Sequence, residues 1–126
     1  MRILIGVSPD GALKGFEAEG HAGLDVAGKN IACAAATTLL RTTARLCAGR
    51  GLIADGRATR PGSMSLVVSF VKSADAEWLR GVTDFLLRGV KDLQDEFPEN
   101  FFVQVNVTED EHGSEKRRSG KERSGF

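Results

Sequence analysis

The sequence lacks several features that mark whole classes of protein. Its 17 basic residues balance 17 acidic ones, so the chain is not built to bind nucleic acid through bulk electrostatics. No apolar run approaches the roughly 20 residues needed to span a bilayer, and the first residues lack the basic and apolar regions of a signal peptide. These absences predict a cytoplasmic protein that does not enter a membrane.

Cysteine and histidine are equally scarce, with two residues of each. Cys33 and Cys47 fall on one predicted helix, where a rise of ~1.5 Å per residue separates them by about 21 Å. A disulfide cannot bridge that distance, so both residues are predicted to be free thiols.

Apolar residues that are present follow strand and helix periods and predict one small α+β domain over residues 1–108. Its order is ββα(β)βαβ, with two helices packed on a mostly antiparallel sheet. We expect strands at residues 1–7, 13–21, 52–57, 63–70 and 101–108, and helices at residues 31–47 and 74–96. Residues 109–126 are charged and nearly free of apolar side chains, so they are predicted to be a disordered tail.

Each predicted helix carries an apolar stripe that is expected to face the core. In the first helix the stripe consists of Ile31, Ala35, Leu39, Thr42 and Leu46. In the second helix it consists of Trp78, Val82, Phe85, Leu86, Val90, Leu93 and Phe97.

Cys33 is the candidate nucleophile, because Asn30 is a good N-cap and would place this cysteine in the first turn of its helix. The unpaired backbone N–H groups and the positive end of the helix dipole favour a thiolate there. The same N–H groups are predicted to stabilise an oxyanion. From spacing alone, a buried structural cysteine is an equally good interpretation.

His21 is the candidate base that would take the thiol proton, because His112 lies in the charged tail. If the second strand continues to residue 21, His21 emerges on the face that carries Glu19, which makes that carboxylate a candidate partner for the imidazole. Gly23 and Gly28 bracket a connection that is either a plain link or a loop able to move over a site.

Two other classes of site can be drawn from the same residues. The segment Gly20–Gly23 has the bare G-x-x-G spacing of the loop with which KH domains bind nucleic acid, so a non-catalytic RNA- or ribosome-binding module is the alternative function. A zinc site has less support, because His21, Cys33 and Cys47 lack paired ligand spacing.

The run Gly20-His21-Ala22-Gly23, followed by Gly28 and then by Ile31-Ala32-Cys33-Ala34-Ala35 and Thr37, resembles the signature of the ribosomal-processing cysteine proteases of the Prp family. The resemblance implies that His21 and Cys33 are the catalytic pair, and that the loop containing Gly20, Ala22, Gly23 and Gly28 closes around substrate. It also implies a homodimer without a metal or cofactor.

The implied substrate is a large-subunit ribosomal protein whose short N-terminal extension is removed after a phenylalanine. One position departs from the family pattern, which usually has an aspartate three residues before the cysteine, where this chain has Asn30. An asparagine still caps a helix and accepts a hydrogen bond, so activity is expected to be retained. If the charge of the aspartate is needed to orient the histidine, activity is expected to be reduced.

Overall fold

A computed structural model describes residues 1–20, 27–60, 63–69 and 71–108. Five strands and two helices follow one another in the predicted order and form a single small α+β domain. In chain order the elements are β1 (Arg2–Val7), β2 (Leu13–Glu19), α1 (Ala27–Gly49), β3 (Ile53–Arg60), β4 (Ser63–Val68), α2 (Ser73–Glu96) and β5 (Phe102–Val107). The short strand predicted at residues 52–57 is therefore present, and the predicted tail at residues 109–126 lies outside the described residues.

The five strands form one sheet in the order β3-β4-β2-β1-β5. Every pairing is antiparallel except that between β1 and β5, which are parallel because α2 carries the chain back across the sheet before β5 begins. No helix of the described residues is long and apolar enough to cross a bilayer.

The hairpin of β1 and β2 contains a bulge that changes which side chains of β2 face the helices. Gly6 pairs with Gly15 and Val7 pairs with Leu13, so Lys14 is an extra residue in β2. Strict alternation would place Leu13 on the same face as the glutamates of β2. The bulge reverses the alternation, and Leu13 is buried.

The buried hydroxyl of Thr83 in α2 is the hydrogen-bond partner of this bulge. The Leu13 N–H donates to Thr83 Oγ1 at 2.9 Å, and the same hydroxyl donates to the Leu79 carbonyl oxygen at 2.7 Å. A buried N–H without a partner costs about 1–3 kcal/mol, so this hydroxyl stabilises the packing of α2 on β2.

The stripe predicted for the core-facing side of α1 is wrong by one residue. The buried residues of this helix are Ala32, Cys33, Ala36, Leu40, Thr43 and Cys47. From the predicted stripe, Ile31 is 64% exposed and Leu46 is 47% exposed. Both stripes have the same spacing, and the sheet takes the one with smaller side chains, which lets the helix lie closer to the strands.

The second helix, α2, begins one residue before its predicted start. The apolar stripe that was predicted to face the core is only partly buried. The buried side chains are Leu79, Thr83, Leu86 and Val90. Phe85, which we expected in the core, is 70% exposed. Trp78, Val82 and Phe85 lie on the side of α2 that faces α1, where they border a groove between the two helices.

Candidate active site

Cys33 lies in the first half of α1, and its side chain is 5% exposed. Its neighbour Ala32 belongs to the apolar core cluster together with Ala36, whereas Cys33 does not join that cluster among the described side chains. Cys33 is thus a buried residue in the half of α1 that is nearer to His21 in the sequence.

The helix begins at Ala27, four residues before the predicted start, and this corrects two assignments. Asn30 lies inside the first turn and not at the N-cap, and Gly28 belongs to the helix and not to the loop. No proline stands at residues 27–30 to stop the helix, and a glycine in a helix costs only about 1 kcal/mol relative to alanine. The side chain of Asn30 is not among the described ones.

The earlier helix start also changes the predicted environment of the thiol. The unpaired N–H groups of a helix belong to its first four residues, so here they belong to residues 27–30. Cys33 is six residues beyond Ala27, which places it about 9 Å further along the helix axis. The dipole effect is largest in the first turn, so the helix start supports a thiolate at Cys33 less than predicted.

Glu19 and Gly20 lead into the segment that contains His21. Glu19 is exposed and is the last residue of β2. The strand ends before Gly20, so the condition under which His21 was expected to share a face with Glu19 is not met. Gly20 has a φ of 113°, a conformation that favours glycine. A methyl group at this position would lie 3.0 Å from the Met1 Cα, so Gly20 also lacks room for a side chain.

Met1 has a role that the sequence did not suggest. Its terminal ammonium donates a hydrogen bond of 2.6 Å to the Asn100 carbonyl oxygen, and its backbone packs against Gly20. The segment after α2 therefore holds β1 in place beside the residue that precedes His21. No local sequence pattern signals a contact between residues 99 positions apart.

The predicted site residues His21, Ala22 and Gly23 lie outside the described residues. The described residues that flank them are the end of β2 and the start of α1. KH domains place their G-x-x-G loop between two helices, so the flanking elements here do not match the RNA-binding alternative.

Cys47 occupies the opposite end of α1 and differs from Cys33 in its surroundings. It is fully buried in the apolar core cluster, and burial raises the pKa of its thiol because the charged form would lose its hydration. Both cysteines are free thiols, as predicted. Among the described residues, no three histidine, cysteine or acidic side chains gather in a group that suits a metal ion.

The free thiol of Cys33, on the helix that follows His21 in the chain, is the residue type that a cysteine peptidase uses as its nucleophile. A family model described as Cysteine protease Prp matches residues 1–102, and the chain belongs to this family. No curated protein matches the chain.

Solved structures of similar fold include the ribosomal processing protease Prp from Staphylococcus aureus in complex with a covalently linked product peptide. It shares 18% identity and a TM-score of 0.66, over 83% of this chain and 98% of the other. The same protease in complex with a substrate peptide shares 17% identity, a TM-score of 0.66 and the same coverage of both chains. SMU.848 from Streptococcus mutans shares 21% identity and a TM-score of 0.69, over 85% of this chain and 94% of the other.

Proposed function

We propose that this chain is an endopeptidase that removes the short N-terminal extension of a large-subunit ribosomal protein, with Cys33 as nucleophile and His21 as base. The observation that carries the proposal is the family match over residues 1–102, which spans both residues. The surroundings of the two thiols support it, because Cys47 belongs to the apolar core cluster, whereas Cys33 is not a member of that cluster among the described side chains. The proposal includes a homodimer in the cytoplasm, where ribosomal proteins are made.

The proposed reaction is acyl transfer through a covalent intermediate. His21 takes the Cys33 thiol proton, and the thiolate attacks the carbonyl carbon of the scissile peptide bond. The tetrahedral intermediate collapses with release of the amine, to which His21 returns the proton. Water activated by His21 then attacks the thioester, which releases the carboxylate product and restores the thiol.

In this proposal His21 supplies more of the thiolate's stabilisation than the sequence suggested, because α1 begins at Ala27. Because the free N–H groups lie about one turn before Cys33, the proton acceptor is the main source of activation in this proposal. The Gly20–Gly28 connection would supply contacts to the substrate backbone. Asn30 would act by orienting a neighbouring group through hydrogen bonding, without the charge of the family's usual aspartate.

The proposed substrate follows from family membership and from a structural neighbour. The Staphylococcus aureus protease of similar fold is a ribosomal processing protease with structures bound to a substrate peptide and to a product peptide. By family, the cleaved bond would follow a phenylalanine, and a phenyl ring gains most of its binding energy from burial in an apolar pocket.

The test is cleavage of a synthetic peptide that spans a ribosomal-protein extension, with the products identified by mass. We expect Cys33→Ala and His21→Ala to lower kcat/KM at least about ten-thousandfold, as removal of a nucleophile or its base does in related chemistry. The matched controls are Cys47→Ala and His112→Ala, which should remain within a few-fold of wild type. Cleavage that survives Cys33→Ala would contradict the nucleophile assignment.

A second peptide tests the specificity. Replacing the phenylalanine before the scissile bond with alanine should lower kcat/KM at least about a hundredfold, because a large apolar contact is lost in the transition state. Equal cleavage of both peptides would show that the phenylalanine does not select the bond.

A further inference from the structure

Met1 is held in place by the segment that joins α2 to β5. Its terminal ammonium donates a hydrogen bond of 2.6 Å to the Asn100 carbonyl oxygen, and its own carbonyl oxygen accepts one of 3.0 Å from the Phe102 N–H. Its side chain is partly buried and packs against the apolar core cluster. The first residues of a domain are often poorly ordered, whereas here both polar ends of Met1 and its side chain make contacts.

The segment that holds Met1 is itself fixed by hydrogen bonds at the end of α2. The Phe97 N–H donates to the Leu93 carbonyl oxygen at 2.8 Å, and the Asn100 N–H donates to the Phe97 carbonyl oxygen at 3.0 Å. Phe101, the next residue, is buried and belongs to the core cluster. Met1 is therefore attached to a hydrogen-bonded turn that is anchored in the core.

Gly20 lies against Met1 at the point where β2 ends. The last pair of the hairpin joins Arg2 to Glu19, so Gly20 is the first residue after the ladder. Its φ of 113° lies in the region that favours glycine, and a Cβ at this position would be 3.0 Å from the Met1 Cα and 3.6 Å from the Met1 nitrogen. The two backbones therefore pack against each other without an intervening side chain.

We propose that Met1 is a positioning residue of the peptidase. It holds the backbone of Gly20, and Gly20 sets the direction in which the chain leaves β2 for His21. This inference rests on the proposed function, in which His21 takes the Cys33 thiol proton. A reacting group that is misplaced by about 1 Å can lose about a hundredfold in rate, so a contact remote from the reacting atoms is able to affect the reaction.

The first experiment removes one hydrogen bond of Met1 without changing that residue. Phe102→Pro deletes the N–H that donates to the Met1 carbonyl oxygen, whereas Phe102→Ala keeps this N–H and loses the same exposed ring. Proline is tolerated at the first residue of an edge strand, which is the position of Phe102 in β5. Timed reaction with iodoacetamide and peptide mapping give the alkylation rates of Cys33 and Cys47 in each protein.

We expect Phe102→Pro to slow the alkylation of Cys33 at pH 7 at least about tenfold. The rate at pH 9.5 should be nearly unchanged, because a thiol with the ordinary pKa of about 8.5 ionises there without a base. Phe102→Ala should stay within about twofold of wild type at both pH values. Cys47 reports on folding in the same samples, because a protein that is merely destabilised opens more often and exposes its core thiol. A slower Cys33 beside an unchanged Cys47 therefore identifies a loss of positioning.

The second experiment perturbs the same contact from Gly20 and does not depend on how Phe102→Pro folds. Gly20→Ala adds a methyl group that meets Met1 and is strained by the positive φ. Gly11→Ala is the matched control, because Gly11 has a φ of 91° and a methyl group there meets nothing within 4 Å. Gly20→Ala should slow Cys33 at pH 7 at least about tenfold, and Gly11→Ala, with strain alone, should stay within about twofold of wild type.

Combining Phe102→Pro with Gly20→Ala tests whether Met1 acts through Gly20. If it does, the double variant reacts no more slowly at Cys33 than the slower single variant, whereas independent effects would multiply. Multiplied effects overturn the positioning role of Met1, and so does an unchanged rate in Gly20→Ala or in folded Phe102→Pro. If circular dichroism shows Phe102→Pro to be unfolded, the comparison of Gly20→Ala with Gly11→Ala decides.

The failure of this inference and the failure of the proposed function give different results. If His21→Ala leaves the alkylation of Cys33 at pH 7 unchanged, the base assignment is wrong and the positioning role of Met1 is overturned with it. If His21→Ala slows Cys33 and the Phe102 and Gly20 variants do not, only the positioning role is wrong.

Discussion

The two ends of α1 each hold a cysteine with little exposure, yet the two residues have different surroundings. Cys47 is part of the apolar core, and its thiol pKa is raised by burial. Cys33 is almost as inaccessible, at 5% exposure, but it is not a member of that cluster among the described side chains. The comparison teaches that two thiols of similar exposure can differ in the side chains that surround them.

The sharpest test of this difference is alkylation of the native protein at neutral pH. We expect Cys33 to react at least about a hundredfold faster than Cys47, because a core thiol reacts only through opening of the structure. Peptide mapping after a timed reaction with iodoacetamide measures both rates in one sample. His21→Ala should slow the reaction of Cys33 below pH 8, and leave that of Cys47 unchanged. Equal rates at the two cysteines would remove the distinction on which the active-site assignment depends.

Replacing a glycine with alanine should change the stability of the protein in opposite directions at the two ends of α1. Gly51 follows α1 with a φ of 74°, where a Cβ costs about 1–2 kcal/mol, so Gly51→Ala should destabilise the protein by about that amount. Gly28 lies within the helix, so Gly28→Ala should stabilise it by about 0.5–1 kcal/mol.

Urea unfolding measures both free energies. A destabilising Gly28→Ala would place the helix start after residue 28, as the sequence suggested, and would return Cys33 to the first turn. Gly81→Ala in the middle of α2 is a useful control for the effect of alanine inside a helix, because the added methyl group would meet nothing within 4 Å.

The stability of the protein should fall in alkaline solution because of Cys47. Its raised pKa means that the native state keeps the thiol proton at a pH where the unfolded chain has lost it. The stabilisation is complete below the ordinary thiol pKa of about 8.5 and is lost as pH rises toward the native value, with a slope of at most about 1.4 kcal/mol per pH unit. Urea unfolding at pH 7.5 and 9.5 should show this loss in wild type and in Cys33→Ala, and a smaller one in Cys47→Ala. The same loss in Cys47→Ala would assign it to other groups.

The smallest expected effect is that of Asn30→Asp. A negative charge in the first turn of α1 interacts favourably with the helix dipole, which should stabilise the protein by about 0.3–1 kcal/mol at low salt. The family's aspartate would be restored by the same change, so peptide cleavage should become faster. A stability gain that persists in 1 M salt would not be electrostatic, and slower cleavage would show that this chain is adapted to asparagine.

Much of the fold could be predicted from the sequence, because strand and helix periods are local. The alternation in β1 and the helical spacing in α2 were sufficient to place these elements within about one residue. What failed was the choice between stripes on α1, where Ile31-Ala35-Leu39 and Ala32-Ala36-Leu40 have identical spacing. The choice depends on how closely the helix approaches the sheet, which is a property of the whole molecule.

The candidate site was predicted less completely. Cys33 and His21 follow from the family signature, and the family is confirmed. The helix start at Ala27 was not predicted, because the apparent cap at Asn30 and the glycine at residue 28 both suggest a later start. Capping preferences of about 1 kcal/mol are small beside the packing of a 23-residue helix. The pairing of Cys33 with His21 stays a prediction.

The bulge in β2 and the hydroxyl of Thr83 form one structural unit encoded at two places 70 residues apart. An inserted residue in a strand normally leaves a local defect, but here a helix side chain completes its hydrogen bonding. The bulge in β2 and the residue at position 83 therefore constrain each other during evolution. Deleting Lys14 to make the hairpin regular would leave the Thr83 hydroxyl without its donor, and replacing Thr83 with valine would leave the Leu13 N–H without its acceptor. Relatives that lack the bulge are accordingly expected to differ at the position of Thr83 as well.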